Sequence, residues 1–230
     1  MKPAAKILLA ATSALLVNTS ALAAAFTFTT PTLALPANLG NGLTGQLWTN
    51  VNPGTDTLAQ AQAIISGGFA TANFRSTTID YPVGAAGATS VFANYGAVLD
   101  ATAQATLDNT SILTDDVLNT VMRFAGFFGV QNAGEVWTFH IPSDDGSAVD
   151  IQGTRILNND GIHGFGGPST TVEFAAPGLY AMNILFFESQ PSDWGLEFRG
   201  GLSGASPTTA LTDRLYTLVD YADPDDDRLD

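Results

Sequence analysis

The chain has 230 residues, no cysteine and a formal net charge of −14, with 22 acids against 8 basic residues. Without cysteine there is no thiol nucleophile, thiolate metal site or disulfide. So few Lys and Arg exclude nucleic acid as a partner, because phosphate binding needs clustered cations.

Lys2 and Lys6, the apolar run Ile7–Val17 and the small-x-small tripeptide Ala21-Leu22-Ala23 read as a secretory signal spanning residues 1–23. The run is too short for a membrane span. This predicts an exported protein, released or held at the cell surface or in the periplasm. About 207 residues then remain, carrying six arginines and all 22 acids. That length suits one domain, expected over residues 24–202 with a polar, acidic tail at 203–230.

In chain order, Phe26–Thr30 is a candidate first strand and Leu43–Asn50 a better one. Asp56 and Thr57 resemble a helix start, followed by Leu58, Ala61 and Ile65 on one face, and Gly67-Gly68 ends it. Phe74–Tyr81 and Ser90–Leu99 carry weaker strand signals, and residues 100–119 give none. In Val136–Ile141, Trp137, Phe139 and Ile141 alternate with Thr138 and His140, the period of a half-buried strand. Ser143–Ser147 is a turn, followed by a short strand Ala148–Gln152. Thr171–Phe174 and Leu179–Glu188 flank Ala-Pro-Gly as a strand pair, and Leu196–Arg199 makes a last strand. The expected architecture is all-β, an antiparallel sandwich with one short helix.

Read together, Trp137–Ser147 (WTFHIPSDDGS), Asp150–Gly153 (DIQG), Asp160–Gly164 (DGIHG) and Leu185–Leu196 (LFFESQPSDWGL) resemble the PA14 domain in order and spacing, most clearly over residues 120–200. The resemblance implies a β-sandwich of the kind found in toxins, glycosidases and adhesins, several of which bind sugars through calcium. In the calcium-binding members the bond between the two Asp is cis, which turns both carboxylates toward one ion. Carried over, this makes Asp144 and Asp145 calcium ligands, with Gln190 and Asp193 of the following loop supplying further oxygen toward the six to eight that Ca²⁺ takes. Sugar would then meet Asp144, Asp145 and Gln190, with Trp194 as a stacking surface that core packing also accounts for. Glu188, at the end of an apolar strand, reads as a structural hydrogen-bond partner, and Asp160 and His163 as braces of their own loop.

Catalysis finds no support. His140 and His163 are the only near-neutral bases, and neither a Gly-x-Ser-x-Gly elbow nor a His-Glu-x-x-His pattern is present. The expected function is calcium-dependent, weak binding of glycans by an exported adhesin-like domain. The alternative is a non-catalytic extracellular protein-interaction or surface component using the same fold.

Overall fold

The structure, a computed structural model, describes residues 24–37, 40–51, 55–84, 87–189 and 193–218. The expected signal at 1–23, Gln190 and the acidic residues 220–230 lie outside these. The elements run β1 (Phe26–Phe28), β2 (Leu43–Trp48), α1 (Leu58–Gly67), β3 (Ala72–Ser76), β4 (Asp80–Tyr81), β5 (Thr89–Ser90), α2 (Tyr95–Val98), α3 (Ala101–Ala105), β6 (Thr120–Val130) and β7 (Glu135–His140). They continue with β8 (Ser143–Asp144), β9 (Ser147–Ile151), β10 (Thr154–Asn159), β11 (Ser169–Phe174), β12 (Gly178–Glu188), β13 (Asp193–Glu197), β14 (Arg199–Leu202) and β15 (Leu215–Tyr216).

The larger sheet has the order β10-β9-β12-β6-β2-β3, with β15 pairing β6 beyond β2. The smaller sheet is β1-β11-β7-β14, in which only the β1–β11 pairing is parallel. A third, minor sheet gathers β4, β5 and β8 around β13. Burial alternates along β7 as the sequence predicts, with Trp137 and Phe139 inward. Their rings meet Phe128 of the larger sheet edge-on, at 5.0 and 5.1 Å between centroids, and Phe174 stacks on the same ring at 5.7 Å. This aromatic layer forms the sandwich core.

Helix α1 begins at Thr57, whose side chain accepts the Gln60 N–H. It roofs one end of the outer face of the larger sheet, where Leu58 and Ala61 cluster with Trp48, Val121, Leu185 and Phe187.

Three expectations need correction. The strand read at 90–99 is the two-residue β5, followed by α2, whose N-cap Asn94 accepts the Ala97 N–H. Segment 100–119 holds α3, capped by Asp100, and a 3₁₀ turn at Thr110–Thr114, so the chain has more than one short helix. The domain also runs past residue 202. Leu211, Leu215 and Tyr216 are buried, and a Cβ on Gly129 would stand 2.4 Å from the Tyr216 ring. Three apolar anchors and the Glu135–Arg214 ion pair hold a segment that composition alone describes as polar.

Candidate metal centre

The Ser143–Ser147 turn lies where β8 leaves β13 and β9 joins the larger sheet. Asp144 pairs with Gly195, and Ser147 pairs with Phe186. Gly146 sits between them because a Cβ there would stand 2.3 Å from the Phe187 ring, while its carbonyl accepts the Phe187 N–H at 2.9 Å. The turn is therefore pinned against the last residues of β12. The Asp144–Asp145 peptide is cis, as the resemblance implies.

This docking brings Glu188, the last residue of β12, to the two aspartates. Asp144, Asp145 and Glu188 are all buried, and each offers a carboxylate oxygen within 4.8 Å of the others. Oxygens ligating one Ca²⁺ at 2.3–2.6 Å cannot be much farther apart than about 5 Å, so the spacing fits a single cation. Three buried carboxylates in one place also repel one another unless a proton or a cation intervenes. Burial, then the charges of Asp145 and Asp193, push the Asp144 carboxyl up to about 6, against relief from His163 and the Phe165 N–H.

The rest of the cluster is fixed by backbone donors. The His163 N–H reaches Asp145 Oδ1 at 3.0 Å and the Ser189 N–H reaches Oδ2 at 3.2 Å. Ser189 Oγ donates in turn to Asp56 at 3.3 Å, at the start of α1. The 159–166 loop is strapped to the turn. Asn159 donates to Ser143 Oγ at 3.0 Å and to the Gly166 carbonyl at 2.8 Å, and Ser143 and Gly166 exchange backbone bonds. Asp160 accepts the Leu58 N–H at 2.7 Å and so ties this loop to the helix. His163 bonds backbone carbonyls of Asn159 and Gly164. Both residues brace the loop.

Of the residues expected at the site, Asp144 and Asp145 meet and Asp193 stands close enough for its charge to be felt by Asp144, though exposed and outside the triad. Gln190 lies outside the described residues. Trp194 cannot stack on a sugar. It is fully buried, with Phe186 at 5.8 Å and Tyr81 at 6.4 Å between ring centroids, because β13 starts at Asp193 and alternation then turns Trp194 inward. Glu188 is the residue the sequence reading set aside. Its signal was parity, since it continues the inward row Ile184, Phe186.

Solved structures share the fold. The chain is similar to the PA14 domain of the MpAFP antifreeze protein, at 16% identity over 80% of this chain and 94% of that one, with a TM-score of 0.64. It is also similar to the PA14 sugar-binding domain from an RTX adhesin, at 17% identity over 77% and 99%, TM-score 0.63. A third is the epithelial adhesin 6 A domain of Candida glabrata in complex with Galβ1-3GlcNAc, at 18% identity over 80% and 92%, TM-score 0.53. The fold is PA14-like. No family model matches the sequence, and no curated protein is similar to it in sequence. Among the described residues, no helix is long and apolar enough to cross a membrane.

Proposed function

We propose that the domain is an exported, calcium-dependent carbohydrate-binding module. The observation that carries this reading is the convergence of Asp144, Asp145 and Glu188. Hard carboxylate oxygens at this spacing suit Ca²⁺, and with no cysteine in the chain thiolate-held metals are ruled out. The three residues hold the ion. The side chains proposed to complete its shell are Gln190 and Asp193. Bound there, the ion supplies a positive centre that vicinal hydroxyls can approach in place of water. Exposed Asp193 beside it can accept a hydroxyl hydrogen bond. The sugar-binding structural neighbours support the same reading.

Each displaced water is itself well held, so the net gain per hydroxyl pair is small. Affinity for a monosaccharide is on the order of millimolar, about −4 kcal/mol. The test is a glycan array with fucose, mannose, glucose and galactose termini, run in calcium and again in chelator. Binding that survives chelation, or no binding to any glycan, overturns the reading.

A further inference from the structure

Helix α1 covers one end of the outer face of the larger sheet, while at the other end Leu33 bridges β12 and β15 pairs with β6. Beyond α1 lies an open cavity of about 480 Å³ whose lining includes none of the acidic triad. Its floor is small, with Ala125 and Ala181, and its walls carry Thr44, Arg123, Asp150 and Asn183. Pairing explains how they meet. Thr44 opposes Ala125, Ala125 opposes Asn183, and Asn183 opposes Asp150, so one row crosses four strands on a single face.

Arg123 is the one cation among the residues that line the cavity. Arg155, Arg199 and Arg214 each pair with a carboxylate, at Asp150, Glu197 and Glu135. Among the described residues Arg123, like Arg75, makes no ion pair. Its Nε–H donates to Asn183 Oδ1 at 2.8 Å, which orients the guanidinium and leaves its terminal nitrogens uncommitted. Asp150 makes its ion pair with Arg155 and none with Arg123.

We propose that this cavity is a second, calcium-independent site for a short saccharide carrying one carboxylate, anchored by Arg123. A planar guanidinium with free parallel N–H groups matches a carboxylate fork. One such arginine in the cavity matches one carboxylate. The surrounding amide, hydroxyl and carboxylate groups both donate and accept, as hydroxyl recognition requires. The volume lies within the range of small-ligand sites. A peptide fits less well, because the cavity opens on the face of fully paired strands and offers no backbone edge to extend. A long polyanion is disfavoured by the net charge of −14. A single contact pair in a half-buried setting escapes most of that repulsion at physiological salt.

The experiment titrates the full chain in chelator and about 0.15 M salt. The probes are a glucuronate-terminated disaccharide and its glucose-terminated counterpart, with binding located by backbone NMR shifts. The acidic sugar should bind at least tenfold tighter, with shifts around Arg123 and Asn183. Arg123→Gln should remove that preference and Arg123→Lys should keep part of it. Equal affinity for the two sugars, a preference that survives Arg123→Gln, or tighter binding of an Asp-rich peptide overturns the proposal. Since chelator is present throughout, failure here and failure of the calcium site are separate results.

Discussion

Replacing Asp144 by Asn should stabilise the protein in chelator and abolish the stabilisation that calcium gives. The Asp144 carboxyl is raised from 3.8 to about 6, first by burial and then by the charges of Asp145 and Asp193. Between those two values the folded state holds more protons than the unfolded one, so stability falls as pH rises through this window and stays low above it. Two units correspond to at most about 3 kcal/mol. Solvent reaching the rim, where Asp193 is exposed, screens part of this and leaves about 1–2 kcal/mol at neutral pH. Asn has nearly the same shape and no charge, so the variant recovers that amount.

With calcium the order reverses. An ion bound only by the folded parent adds about 2.7 kcal/mol at a hundredfold excess over the dissociation constant. For a domain of this length that is roughly 5–10 °C in melting temperature. The variant has lost a charged ligand and should gain little. Thermal unfolding of both proteins, in chelator and in millimolar calcium, should give melting temperatures that change order between the two conditions. The parent in chelator should also lose stability between about pH 4 and pH 6, with a shallower slope in the variant. A variant that melts below the parent in both conditions would refute the reasoning, because repulsion among the three carboxylates would then not be what the cation relieves.

Gly146→Ala forces a methyl into the Phe187 ring and should cost about 1–3 kcal/mol, read as a lower urea midpoint, together with a weaker calcium response. Trp194→Ala should destabilise by about 3–5 kcal/mol through loss of core packing, and a variant with altered glycan binding but an unchanged melting curve would place the ring elsewhere. Asp160→Ala removes the acceptor for the Leu58 N–H and should cost about 1 kcal/mol while the calcium-induced shift persists. Arg214→Met leaves Glu135 buried without its cation and should cost about 3–5 kcal/mol, measured by denaturant unfolding.

What could be read from the sequence was what repeats at short range. The alternation in Val136–Ile141 found β7, and the Asp56-Thr57 start with the glycine pair at 67–68 found α1. Segment 90–119 failed because its short helices are set by side-chain caps, Asn94 and Asp100, and not by any apolar period long enough to register. The domain boundary failed for a different reason. Residues 211–216 are held by two leucines, a tyrosine and one ion pair, and that contact density does not show in composition.

One rule would have placed both Trp194 and Glu188 inside. Side chains two apart along a strand share a face. Counting back from Phe198 and Leu196 puts Trp194 in the core, and counting forward from Ile184 and Phe186 puts Glu188 there too. A tryptophan is at home in that row. A carboxylate is not, since burying its charge demands a partner. An acid that strand parity forces inward is therefore a stronger pointer to a cation site than an exposed acid beside a loop. What sequence adjacency could not supply is the meeting itself. Asp145 and Glu188 come together only because β9 pairs with β12 at Ser147 and Phe186 and Gly146 lets the turn close on Phe187. The cluster thus exists only once the larger sheet has formed, which is the condition under which a bound cation stabilises the folded state and not the unfolded chain.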